Sequence, residues 1–144
     1  MHTKANEIIT AGLSYVGVPY REQGRNMAGL DCAGLIVCAG VDSGAFPSNA
    51  IDTIAKNYSR RPDVPQFTKS MIDAGCVRLK FGEQKHGDIL RVAYLNWPVH
   101  VGLYEVVGDT HWVIHAYLPR KKVVRELITP FMYAQISTVW RYPE

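Results

Sequence analysis

Apolar and polar positions divide this chain into two halves of different period. In the first half, Ala5, Ile8, Ile9, Leu13 and Val16 recur near helical spacing over residues 3–16, with Thr3 and Glu7 at the start. Gly17-Val18-Pro19-Tyr20 ends that predicted helix, because proline and the residue before it resist continuing it. A polar, glycine-containing loop from Arg21 to Gly29 follows. A second helix then carries Leu35, Ile36, Val37, Cys38 and Val41, apolar nearly all round, as suits a helix buried on most sides. Gly44-Ala45-Phe46-Pro47-Ser48 closes it. Residues 49–66 are the least regular stretch. A short helix is expected around Asp52 to Asn57, and Arg60 and Arg61 read as solvated surface or as the wall of a cleft. Phe67 to Ala74 predicts another short helix, stopped at Gly75.

From Cys76 the period changes to that of strands. Cys76–Lys80, Asp88–Tyr94, Val99–Val107, His111–Leu118, Lys122–Leu127 and Ser137–Tyr142 are β-rich, broken by glycine, proline and charged turns. Helices first and strands afterwards predict an α+β fold with an antiparallel sheet of about five to six strands. The 144 residues suffice for one domain with a proper core, spanning 1–144.

Composition narrows the class further. An apolar fraction of 47% and a charged fraction of 20% are those of a soluble globular chain. The net charge of +3 does not argue for nucleic acid. Three cysteines without paired spacing make a disulfide framework unexpected and a reducing compartment natural. Met-His-Thr-Lys-Ala-Asn-Glu has no apolar signal core and no run is long enough to span a bilayer, so a cytoplasmic origin without membrane insertion is expected.

Chemistry enters at Asp31-Cys32. Asp31 is a good N-cap, since its carboxylate can accept from first-turn amides. Cys32 then occupies the first helical position, where unpaired N–H groups and the positive dipole end favour a thiolate, so a lowered pKa is expected. Cys38 and Cys76 read as small buried hydrophobes. A reactive thiol needs a base. His2 and His86 read as solvated, whereas His100 shares a strand face with Gly102 and Tyr104, and His115 lies on the following strand. A two-residue turn at Gly108-Asp109 pairs Val107 with Thr110, and His100 then opposes Tyr117 while His115 opposes Gly102. The histidines become diagonal neighbours roughly 5–8 Å apart. An odd loop would throw them onto opposite faces. With a thiol nucleophile, His100 would be the base and His115 the group that orients it.

Five segments, Gly17-Val18-Pro19-Tyr20, Asp31-Cys32-Ala33-Gly34-Leu35, Gly87-Asp88-Ile89-Leu90, His100-Val101-Gly102-Leu103-Tyr104 and Val113-Ile114-His115-Ala116, resemble the NlpC/P60 cysteine peptidases in order and spacing. The resemblance covers roughly residues 5–118. It implies a papain-like core and cleavage of peptidoglycan stem peptides, often between γ-D-glutamate and diaminopimelate. Carried over by position, Cys32 matches the nucleophile, His100 the general base and His115 the third catalytic residue. Tyr20 matches a tyrosine that shapes the oxyanion and substrate site, and Asp31 belongs to the motif. Ala33 departs from the serine of many members, so a substrate hydrogen bond from that hydroxyl is absent. Asn57-Tyr58-Ser59-Arg60-Arg61-Pro62 and Val139-Trp140-Arg141-Tyr142-Pro143 resemble phage tail-associated members, which implies a virion-borne tail component with other tail proteins as partners.

Other readings stay open beside the peptidase. A phage tail-tip binding module could keep this fold without turnover, though competent residues at all three catalytic-type positions count against it. A thiol amidase or acyltransferase would differ only in the acceptor. Cys32, His100 and His115 could in principle hold zinc, but the closely spaced ligand pairs of a structural site are missing. Neither a metal nor another cofactor is expected.

Overall fold

The computed structural model describes residues 3–54, 64–94 and 97–144. Asn57–Pro62, including Arg60 and Arg61, and the second half of the short helix expected around Asp52 to Asn57 lie outside the described residues. The elements, in chain order, are α1 (Thr3–Ser14), β1 (Arg25–Asn26), β2 (Gly29–Leu30), α2 (Cys32–Asp42), α3 (Ala50–Thr53), α4 (Val64–Asp73) and β3 (Val77–Leu79). Then come β4 (Ile89–Tyr94), β5 (Trp97–Val107), β6 (Thr110–Tyr117), β7 (Lys122–Leu127), α5 (Pro130–Gln135) and β8 (Ile136–Arg141). Six strands form one sheet in the order β3-β8-β4-β5-β6-β7, every neighbouring pair antiparallel. β1 and β2 form a small hairpin ahead of α2.

The sheet is covered on both faces, which explains why its central strands read as continuous apolar runs rather than as clean alternation. On one face Ile8 and Ile9 of α1 and Leu35, Ile36 and Ala39 of α2 meet Ile89, Val101, Leu103, Ile114, Ala116 and Val123. On the other, Leu90, Val92, Tyr104, Val113 and Val139 pack with Met132 of α5. At the sheet's far side, Arg141 donates to both carboxylate oxygens of buried Asp88 at 2.8 Å, tying the start of β4 to the end of β8.

Apart from the short helix expected around Asp52 to Asn57, of which only the first half is described, the helix and strand expectations hold to within a few residues. α1 stops at Ser14, and α4 begins at Val64, ahead of Phe67, because proline at position 65 is tolerated in a first turn. α5 was not predicted, although Thr129 caps it through a 3.1 Å bond from the Met132 amide and Pro130 opens it. The β5–β6 turn has the even length that the histidine register requires. Gly108 takes φ +57° with Asp109 at negative φ, the type II′ pattern, and Val107 pairs with Thr110.

Candidate active site

The site is assembled on the N-terminus of α2. Asp31 is the N-cap in extended conformation (φ −96°, ψ −175°), and one carboxylate oxygen accepts from Gly34 N–H at 2.7 Å. The other oxygen accepts from the Gln23 amide at 2.7 Å, and Gln23 holds left-handed backbone (φ 60°) to supply it. Both oxygens are thus engaged by backbone, so the capping role expected for Asp31 is what the structure shows. The loop crosses the first turn of α2 closely: a Cβ on Gly34 would lie 2.0 Å from the Gly24 carbonyl oxygen. Only glycine permits that approach.

Cys32 is 8% exposed, and its Sγ lies 4.0 Å from the carbonyl oxygen of Val99. The sulfur therefore rests against the β5 backbone beside His100. Its ionisation departs from the sequence expectation of a lowered pKa. Burial, seconded by the charge of Asp31, pushes the thiol up to about 12 and outweighs the backbone amides of Val101, Ala33 and Cys32, which pull it down. The thiol at rest is neutral. Tyr20 is held by its N–H donating to the Lys121 carbonyl at 2.9 Å. Its phenol pKa is raised by burial and then by the charges of Cys32 and Asp31, which places the hydroxyl in their neighbourhood.

His100 and His115 meet as the register predicts. The β5–β6 ladder ends at Leu103↔Ile114, and immediately beyond it the two rings face each other, with Nε2 of His100 2.6 Å from Nδ1 of His115. Both side chains have no exposed surface. Burial lowers the pKa of each; the neighbouring His115 lowers that of His100 further, and Glu126 partly offsets the shift of His115. Both imidazoles are neutral at pH 7. The Tyr117 ring stacks on His115 at 4.6 Å between centroids and 12° between planes.

Glu126 is the residue that the sequence reading missed. Its Oε1 lies 3.0 Å from Nε2 of His115, and Arg120 Nη2 lies 3.7 Å from its other oxygen. The signal was present in the second hairpin. Pairing Tyr117 with Lys122 puts Glu126 opposite Val113, on the same face as His115 and diagonal to it. His86 is not simply solvated as expected, since its Nδ1 accepts from the Val106 amide at 3.0 Å. His111 engages the Tyr104 hydroxyl through Nδ1. Cys38 and Cys76 are buried free thiols, as expected. Among the described residues, no group of three His, Cys, Asp or Glu side chains is arranged to hold a metal ion.

No protein-family model matches the sequence, and no curated relative does. Solved structures do. The NlpC/p60 domain of the peptidoglycan hydrolase SagA is 20% identical, with 94% of this chain and 96% of that one covered and a TM-score of 0.59. An NlpC/P60 family protein from Bacillus cereus is 22% identical at a TM-score of 0.68, over 97% of this chain and 40% of that protein's length. An N-acetylmuramoyl-L-alanine amidase from Bacteroides uniformis is 13% identical at a TM-score of 0.68, over 98% and 99% of the two chains. The fold is the papain-like α+β arrangement of NlpC/P60 domains, with helices on a six-stranded antiparallel sheet.

Proposed function

We propose that the protein is a cysteine endopeptidase that hydrolyses peptide bonds in peptidoglycan stem peptides, with Cys32 as nucleophile, His100 as general base and His115 as the residue that orients it. The observation that carries this reading is the buried 2.6 Å contact between His100 and His115 beside a helix-N-terminal sulfur. The peptidoglycan hydrolase SagA, whose NlpC/p60 domain shares the fold, supports the substrate class.

The chemistry follows from two neutral groups at rest. As the substrate carbonyl docks, Sγ attacks its carbon while His100 takes the thiol proton, so the ion pair forms during attack rather than before it. The oxyanion is held by the backbone N–H of Cys32 and by the hydroxyl of Tyr20. Collapse breaks the C–N bond, and the His100 imidazolium gives its proton to the leaving amine. Water then attacks the thioester, with His100 as base, and releases a carboxylate and the free thiol. The bond proposed is that between γ-D-glutamate and diaminopimelate, and the setting a phage tail, where the enzyme would meet the wall during infection beside other tail proteins. Both proposals rest on sequence resemblance, and of the tail-like segments only Val139–Pro143 lies within the described residues.

A second reading, amide hydrolysis between muramic acid and L-alanine, is favoured by the end-to-end match to the Bacteroides uniformis amidase. Mass spectrometry of digested peptidoglycan separates the two. An endopeptidase leaves an L-Ala-D-Glu stub on the glycan, whereas an amidase releases the whole stem peptide. Products that begin at diaminopimelate support the first reading, and intact stem peptides overturn it in favour of the second.

A further inference from the structure

A contact between two imidazole nitrogens needs one N–H and one lone pair, so the 2.6 Å approach of His100 Nε2 to His115 Nδ1 admits two arrangements of neutral rings. In the first, His100 carries its proton on Nε2 and donates it to His115. His115 then carries its own proton on Nε2, and His100 keeps a lone pair on Nδ1. In the second, His115 donates from Nδ1, its Nε2 presents a lone pair, and His100 Nδ1 bears a proton. Only the first leaves His100 able to accept a proton at Nδ1, which is fully buried.

Glu126 distinguishes the two arrangements. Its Oε1 sits 3.0 Å from His115 Nε2, where a carboxylate attracts an N–H and repels a lone pair. Arg120 Nη2 stands 3.7 Å from the other oxygen and puts a positive charge on that side of the carboxylate. The groups around the pair come from three elements: Glu126 from β7, Tyr117 from β6, and Arg120, behind Glu126, from the turn between these strands. We propose that Glu126 is a positioning residue. It fixes the Nε2–H tautomer of His115, and through it that of His100, so that Nδ1 of His100 is left as the base. The catalytic consequence rests on the function proposed above; the tautomer itself does not.

The test reads the tautomers directly by ¹⁵N correlation spectra of the histidine rings at pH 7.5, in the full chain and in Glu126→Gln. Glutamine keeps the size of the side chain but presents either an acceptor or a donor, so both arrangements become accessible. Expected are Nε2–H signals for His100 and His115 in the unmodified protein, and a second, Nδ1–H population in the variant with an unchanged backbone spectrum. On peptidoglycan, kcat should fall about ten- to a hundredfold, by analogy with loss of the carboxylate behind a metal-ligating histidine, with KM nearly unchanged. Glu126→Ala, which removes the partner outright, should show the same mixture if glutamine settles as an acceptor. Unchanged tautomers in both variants would overturn the proposal, whatever the effect on kcat. A tautomer change in a protein that hydrolyses nothing would uphold the positioning role and reject the enzyme reading instead.

Discussion

At Cys32 two opposing effects meet, and their sizes decide which one wins. A helix N-terminus favours an anion by about 0.3–1 kcal/mol, and by up to about 2 when partly buried. Raising the thiol from 9.0 to about 12 corresponds to roughly 4 kcal/mol against the thiolate. Position along the helix was legible in the sequence; burial against the β5 backbone was not, because it depends on where a strand 67 residues later comes to lie. Alkylation of Cys32 by iodoacetamide should therefore keep accelerating as pH rises past 9, and a plateau below pH 8 would contradict this account. Asp31→Asn retains a capping side chain but removes the carboxylate that raises the thiol, so its profile should move to lower pH. An unmoved profile would deny Asp31 that influence.

The element that matters most for the site is the β5–β6 hairpin. Its register was legible because Gly108-Asp109 sits between two apolar runs and a two-residue loop leaves one pairing. The Glu126 contact was harder to read, since β6 and β7 are joined through the 3-10 turn Leu118–Arg120 and Lys121, with no two-residue loop in the sequence to fix their register. The β1–β2 hairpin and α5 escaped for a different reason: strands of 2 residues and a helix of 6 hold too little pattern to show a period. Because Gly108 stands at φ +57°, Gly108→Val should destabilise the protein by about 1–3 kcal/mol. The check is a urea titration, in which the midpoint should fall at constant m-value. An unchanged midpoint would mean that the turn does not depend on glycine.

For the molecule as a whole, buried groups that stay neutral set the pH range of stability. His100 and His115 have pKa values lowered below 6.5 by burial, so the unfolded chain binds protons that the folded one refuses. Stability present above about pH 6.5 is lost as pH falls from there. Cys32 and Cys76 are both raised from 9.0 to about 12, so stability present below pH 9 is lost as pH rises through that window. The thermal midpoint should be highest between these limits, with Cys32→Ala flattening part of the alkaline fall. A midpoint that is constant from pH 5 to 11 would contradict the burial of these groups. The α+β class was legible because helical and strand periods occupy separate halves of the chain, whereas the covering of the second sheet face by α5 emerged only from packing.

The central claim is that the thiol of Cys32 does the chemistry. It is tested most directly by measuring the free amines released from purified peptidoglycan by the full chain and by Cys32→Ala, with folding of both followed by circular dichroism. The account predicts a steady release by the first and none above background by the second, at equal fold content. Equal release by both would contradict it.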